Sequence, residues 1–460
     1  MDVCRKMKVH FIAIGGSAMH NLAIALTLKG YKVSGSDDEI FDPAKGRLSK
    51  FGILPEASGW FPDKITADLD AVIVGMHARA DNPELLKAQE LNLKIYSYPE
   101  YLYEQSKDKV RIVVGGSHGK TTITSMIIHV LQQNGVLCDY MVGAQLEGFE
   151  VMVKLSDDAR IMVIEGDEYL TSPLDRRPKF HVYQPTVGIV SGIAWDHVNV
   201  FPTFDIYVRQ FEIFADMIPA GGKFIYCEDD PELKKLGERQ MKADKQPYGV
   251  YPHHVKDGVT YLDTPYGEFP LKIFGRHNLA NLNAARLACQ AVGIADEDFF
   301  KAISTFKGAS GRLQLVASNN NCAVYKDFAH APSKLRATIT AVREQYPDRK
   351  LVACMELHTF SSLTEQFFTQ YNGAMNVADV AFVYFSPKAV ALKKLPPVHA
   401  SVVYEAFGCP GLQVFDNAKL LQDKLLSIDY HNSVLLLMSS GNFDGMDITG
   451  LGNKIISLQV

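Results

Sequence analysis

Hydrophobic positions along the chain fall into short apolar runs separated by longer stretches with helical spacing, the pattern of parallel α/β layers. The first block predicts a strand over 9–14, a turn at Gly15-Gly16, a helix over 19–28 and a strand over 31–34 that ends in Gly35-Ser36-Asp37. Further strands are expected over 71–74 and 96–98. A charged stretch, 104–109, precedes a strand over 110–114, which opens a second block with strands at 161–164 and 187–190 and an end near Gly311-Arg312. A third block starts near Cys322, with strands over 351–355, 380–384 and 434–438 and a loop at Leu395-Pro396-Pro397. The prediction is an α/β chain of three domains, 1–106, 107–314 and 315–460, without repeats or low-complexity segments.

Composition narrows the function classes. A chain of 460 residues, 47% of them hydrophobic, has room for three ordinary cores. A net charge of -5 gives no electrostatic case for nucleic acid or an anionic membrane as partner, so an anionic ligand must be held by local basic groups. Seven scattered cysteines, none in a C-x-x-C pair, argue against a zinc site or a disulfide framework and for reduced thiols. No apolar run approaches the roughly 20 residues that span a bilayer. The basic residues before Phe11 lead into a strand and turn better than into a signal peptide. A soluble cytoplasmic enzyme is expected; oligomeric state is not legible.

The most specific local signal is Gly116-Ser117-His118-Gly119-Lys120-Thr121-Thr122, directly after a strand and before a helical run. Glycines let backbone N–H groups close around phosphate oxygens, the lysine neutralises the β- and γ-phosphates, and a hydroxyl reaches the metal. Val114 stands where the longer G-x-x-x-x-G-K-[ST] pattern has its first glycine, so this is the shorter G-x-x-G-K-T form.

The strand over 161–164 ends in Glu165-Gly166-Asp167-Glu168, where ligands bind in open parallel sheets. Glu165 is the first candidate to hold Mg²⁺, which prefers oxygen ligands; Asp167 and Glu168 read more readily as a solvated acidic loop. The next strand leads to Trp195-Asp196-His197, whose histidine is a candidate for a second metal position or for orienting the γ-phosphate. On these residues alone a P-loop NTPase without ligation stays open, as does a nicotinamide oxidoreductase built on the first βαβ block. The latter's fingerprint is poor, because Ala13 and Ala18 replace two of the three glycines.

The order of further motifs resembles the Mur ligases over essentially the whole chain. It runs Gly116 to Thr122, Glu165-x-Asp167-Glu168, Asp196-His197, Gly275-Arg276-His277-Asn278-x-x-Asn281, Gly311-Arg312 and Asp327-x-x-His330-x-Pro332. Within that family, His10 to Gly16, Gly35-Ser36-Asp37 and Asp81-Asn82-Pro83-Glu84 resemble the muramate-ligase branch. The resemblance implies a Rossmann-like N-terminal domain for a UDP-sugar, a central P-loop ATPase-type domain, and a Rossmann-like C-terminal domain for the amine. It implies ATP and Mg²⁺, with UDP-N-acetylmuramate joined to a peptide or L-alanine through an acyl phosphate. Gly15, Gly16, Ser36, Asp37 and Asn82 would bind the UDP-sugar. Gly116, Ser117, His118, Gly119, Lys120, Thr121, Thr122, His277, Asn278, Asn281, Arg312, Asp327 and His330 would bind ATP. Lys120, Glu165, His197 and Arg312 would be catalytic, with Thr121, Glu165 and His197 near the metals.

Within the branch, the amine is either the tripeptide L-Ala-γ-D-Glu-meso-diaminopimelate, in peptidoglycan recycling, or L-alanine, in biosynthesis. The segment Asp175-Arg176-Arg177-Pro178-Lys179-Phe180 resembles the tripeptide enzymes, and Arg176 and Arg177 are candidate amine-site residues. Gly148-Phe149-Glu150-Val151 points the same way. The chain departs from the family pattern at Gly192 and Ala194 before the metal-site histidine, and at Ala331 after His330. Phe211 stands where other members have a carbamylated lysine, so no carbamate is expected.

Overall fold

The computed structural model describes residues 5–76, 78–143, 149–172, 175–195, 200–256, 258–309 and 312–458. Its contacts divide the chain into two compact units, 1–251 with 280–303, and 252–279 with 304–460.

The first unit carries two sheets. One joins β1 (Lys8–Ile12), β2 (Lys32–Ser36), β3 (Ala71–Val74) and β4 (Ile95–Ser97), all parallel, in the order β2-β1-β3-β4. The other holds β5 (Val110–Gly115), β6 (Cys138–Met141), β7 (Val153–Lys154), β8 (Ile161–Glu165), β9 (Val187–Val190), β10 (Lys223–Cys227) and β11 (Asp244–Tyr248). Its order is β11-β10-β9-β5-β8-β6-β7, parallel except for β7. Strands buried on both faces need continuous apolar runs. Ile112, Val113, Val114 and Met162 to Ile164 supply them and are fully buried. The chain leaves β5 toward β6 and β8 on one side and returns to β9 and β10 on the other. The carboxyl end of β5 is therefore the switch point where open α/β sheets bind ligands.

The helices start with side-chain caps that the sequence supplies. Asn82 accepts from the amides of Glu84 and Leu85 at the head of Pro83–Glu90, and Ser97 forms a capping box with Glu100. In the four-stranded sheet His10 of β1 and Glu84 are both fully buried, with Nε2 3.2 Å from a carboxylate oxygen. Burial pushes the Glu84 carboxyl up, but His10 and the Phe61 amide outweigh it and hold the group below its usual range.

The second unit carries an antiparallel sheet of β12 (His253–Lys256), β13 (Val259–Thr264) and β14 (Gly267–Leu271). It also carries β15 (Gln314–Ser318), β16 (Cys322–Asp327), β17 (Lys350–Leu357), β18 (Val380–Phe385), β19 (Gln413–Phe415) and β20 (Ser433–Met438). These pair in the order β15-β16-β20-β17-β18-β19, with β15 alone antiparallel. The boundary expected near residue 314 thus meets a chain that crosses more than once, since 252–279 packs with the C-terminal residues. Among the described residues six cysteines are free thiols, five of them buried. No helix among the described residues is long and apolar enough to cross a membrane.

Candidate functional site

The turn Gly116–Gly119 lies between β5 and the helix Lys120–Gln133, at the strand–helix junction that the sequence pattern predicts. Gly116 and Gly119 adopt φ of +116° and +79°, a region open to glycine. A Cβ on Gly116 would stand 2.4 Å from Ser191 Oγ and 2.7 Å from the Ser191 amide nitrogen. One on Gly119 would stand 2.4 Å from Oδ1 of Asn281, so the helix that carries Asn281 closes onto the loop.

Lys120 Nζ donates to the Gly116 carbonyl at 2.7 Å and to Glu168 Oε2 at 2.9 Å. Burial pulls its ammonium down, but Glu168, then Asp167 and Glu165, overcome this and raise it. Thr121 Oγ1 donates to Glu165 Oε1, and the Gly143 amide to Oε2, both at 2.9 Å. Burial lifts the Glu165 carboxyl above its usual range despite these two donors. An exchangeable hydroxyl beside a carboxylate is an all-oxygen donor pair, which suits a hard cation such as Mg²⁺.

Glu168 corrects the expectation of a solvated acid, for its side chain is 2% exposed. Tyr207 donates to its other oxygen at 3.2 Å, and the same phenol lies 3.1 Å from Ser117 Oγ. Asp167 pairs with Lys179 at 2.6 Å, which holds its carboxyl low against the upward push of burial. Phe211 lies fully buried, edge-on to Phe180 and Tyr207.

A cavity of about 450 Å³ takes its lining from both sheets' layers, including Ser17, His20, Asn21 and Arg47 with Lys120, Glu165, Asp167, Lys179 and Tyr183. His20 and Arg47 were not legible as site residues. His20 Nδ1 donates to the Gly16 carbonyl, leaving Nε2 to accept from Asn21 and Arg47, and burial first, then Arg47, keeps the ring's pKa low. Asn21 Oδ1 accepts from the Met152 amide and ties the first helix to the β6–β7 connection.

The residues expected to meet a UDP-sugar are arranged more tightly than the motif suggests. Gly15 N donates to Asp37 Oδ2 at 2.6 Å; burial pushes the Asp37 carboxyl up to about 6 despite that donor. Gly16 begins the helix Ser17–Leu28 without a side-chain cap, so its first amides are open to a ligand. Ser36 is buried, and Asn82 is committed to its helix cap.

Arg177 donates to Asp175 and reaches Glu100 at 3.1 Å, whereas Arg176 is exposed and makes no ion pair among the described residues. Asp196, His197, Gly148 and Gly311 lie outside the described residues. In the second unit, Asp327 accepts from the amides of Leu313 and Ala329, and the Arg312 guanidinium sits 4.9 Å from the centre of the Phe328 ring. Burial drives the half-buried His277 ring's pKa down, against the pull of Asp327 and with a further push from Arg312. His330 Nδ1 donates to the Phe328 carbonyl, and Asn278 donates to Phe274. His277 thus lies within electrostatic reach of Arg312 and Asp327, and Asn281 lies against Gly119 of the glycine loop.

Three family models match in succession: the Mur ligase family catalytic domain over residues 8–109, the Mur ligase middle domain over 114–289, and the Mur ligase glutamate ligase domain over 311–441. The chain belongs to the Mur ligase family. Mur ligases are ATP-dependent and release ADP, and this chain is an enzyme of that class; a bare P-loop NTPase and a nicotinamide oxidoreductase are thereby set aside.

A UDP-N-acetylmuramate–L-alanine ligase from an Arthrobacter strain is 31% identical over 82% of this chain and 80% of its own length. A UDP-N-acetylmuramate–L-alanyl-γ-D-glutamyl-meso-2,6-diaminoheptandioate ligase from Haemophilus influenzae is 29% identical over 95% and 97%. Two solved Mur ligases share the fold. One is a murein peptide ligase of Psychrobacter arcticus, with TM-score 0.61 and 22% identity over 98% of this chain and 99% of that one. The other is a UDP-N-acetylmuramate–alanine ligase of Thermotoga maritima, with TM-score 0.68 and 21% identity over the same shares.

Proposed function

We propose that this Mur ligase joins the tripeptide L-Ala-γ-D-Glu-meso-diaminopimelate to UDP-N-acetylmuramate, as a cytoplasmic enzyme of peptidoglycan recycling. The supporting observation is the segment from Asp175 to Phe180. It sets Lys179 on the cavity wall, paired with Asp167, and leaves Arg176 exposed. The tripeptide carries free carboxylates on its glutamyl and diaminopimelate residues, and guanidinium groups bind carboxylates through strong charge-assisted bonds. In this reading residues 1–106 hold the UDP-sugar, 107–314 ATP and 315–460 the amine.

A carboxylate is a poor electrophile and must be activated. The lactyl carboxylate of the sugar attacks the γ-phosphorus of ATP, releasing ADP and leaving an acyl phosphate. The free amine then adds to the acyl carbon, and the tetrahedral intermediate collapses by expelling phosphate as the amide forms. The protein positions the reactants and neutralises charge. Lys120 meets the transferring phosphoryl group, and the amides of the glycine loop hold the neighbouring phosphates. Thr121 and Glu165 are the residues that would hold Mg²⁺, which supplies charge neutralisation on the phosphates when bound. His197 is assigned beside them, Arg312 to the phosphates, Asp327 to the ribose, and His277, Asn278, Asn281 and His330 to the rest of the nucleotide.

The test is phosphate release with ATP and UDP-N-acetylmuramate, comparing the tripeptide with L-alanine. The tripeptide is expected to give a kcat/KM higher by at least about tenfold, roughly 1.4 kcal/mol of transition-state preference. The reverse ranking would transfer the enzyme to the L-alanine step.

A further inference from the structure

Lys120 is tied back to its own loop through two buried side chains that no part of the mechanism above uses. From Ser117 the hydrogen bonds run to the Tyr207 phenol at 3.1 Å, from that phenol to Glu168 Oε1 at 3.2 Å, and from Lys120 Nζ to Glu168 Oε2 at 2.9 Å. Ser117 also receives the Ala194 amide at 2.8 Å, so its hydroxyl proton is available to the phenol or to the Ala194 carbonyl. Tyr207 is fully buried and Glu168 nearly so. A buried carboxylate away from a cation is costly, which makes a structural acid at this place a poor choice unless its charge serves the lysine.

We propose that Glu168 and Tyr207 are positioning residues that align Lys120 with the phosphate loop before nucleotide arrives. The two ends of the chain are Ser117 and Lys120, which bracket the loop's inner residues. Glu168 occupies one side of the ammonium and the Gly116 carbonyl another, and this fixes the direction from which Nζ meets the phosphates. When the γ-phosphate enters, Nζ exchanges the Gly116 carbonyl for phosphate oxygen while Glu168 keeps its grip. Tyr207 keeps the carboxylate from turning to follow the lysine. The side chain that reaches the phosphoryl group is thereby aimed by a residue that never touches substrate.

This inference rests on the phosphate-loop reading but not on which amine is used. Glu168→Gln preserves shape and the acceptor for Tyr207, yet faces the ammonium without charge. Expected is a kcat at least about tenfold lower, with MgATP affinity by calorimetry equal to or tighter than the parent's, because a negative charge near the triphosphate is gone. Tyr207→Phe should lower kcat less, and the double variant should match Glu168→Gln alone, since the two act in one chain. Glu168→Asp, which restores the charge, should recover part of the loss.

An unchanged or raised kcat in Glu168→Gln overturns the proposal, as do additive effects in the double variant. MgATP binding weakened more than threefold overturns it whatever turnover shows, because that is the signature of a merely disordered loop. A parent enzyme inactive with both amines would indict the substrate assignment instead; the calorimetric arm needs no amine, and MgATP binding weakened more than threefold there would still overturn this proposal.

Discussion

Alanine placed at Gly116 and at Gly119 separates two ways in which the glycine loop resists a side chain. Both positions have positive φ, where an L-residue costs about 1–2 kcal/mol. At Gly119 the new methyl meets the tip of Asn281, a side chain that can rotate away, so the backbone cost dominates. At Gly116 it meets the Ser191 nitrogen as well, and that amide is bonded to the Gly115 carbonyl where β9 pairs with β5. Relief there requires the strand ends to part, and overpacking of this kind adds about 1–3 kcal/mol. The totals are about 1–2 kcal/mol for Gly119→Ala and about 2–5 kcal/mol for Gly116→Ala. At roughly 2–4 °C per kcal/mol for a body of this size, melting falls by about 2–8 °C and about 4–20 °C respectively. Thermal unfolding read by circular dichroism gives the order, and calorimetry with ADP reports whether each loop still closes on phosphate. If Gly116→Ala proves as mild as Gly119→Ala, the contact with Ser191 at the β5–β9 strand ends does not constrain the loop.

Lys120→Ala should leave a folded protein whose kcat for phosphate release is lower by about 10² or more, the scale of a lost charge-stabilising contact; near-parental turnover would remove the lysine from the mechanism. His10→Ala leaves Glu84 buried without its partner and should cost about 3–5 kcal/mol in urea denaturation. Because the folded Glu84 value is depressed, its contribution is present above pH about 4.3 and lost as pH falls through the lower folded value. Urea midpoints that stay flat across that acidic range in the parent would contradict the assignment. Arg177→Ala should change stability by under about 1 kcal/mol, since its ion pairs are half-exposed. It should also shift KM for the tripeptide less than Arg176→Ala does.

The parallel strands were legible because burial on both faces forces uninterrupted apolar runs; β3 and β9 fall on the residues the pattern predicts. The β12–β14 sheet was not, because its strands are half-exposed. Sequences such as His253-His254-Val255-Lys256 carry no apolar run, and nothing local says that they pack with residues beyond 304. Glu165 was legible as an acid at a strand end. Glu168 was misjudged because sequence reports position along the chain and not depth, and its partner Tyr207 lies 39 residues later. Asn281 had no local signal, since its meeting with Gly119 is made by tertiary packing alone; only the family pattern pointed to it. His20 sat inside an apolar helix, where a histidine reads as filler.

The strand at one margin of the seven-stranded sheet, β11, reads Asp244-Lys245-Gln246-Pro247-Tyr248. Proline lacks the N–H that an added strand would have to engage, and two charged neighbours resist being dehydrated by a docking chain. The opposite margin, β7, is two residues long and offers almost no template. The seven-stranded sheet is thus guarded at both rims against growth by strand addition. Any lasting association between copies of this enzyme must be built from side-chain surfaces and not from backbone pairing along that sheet.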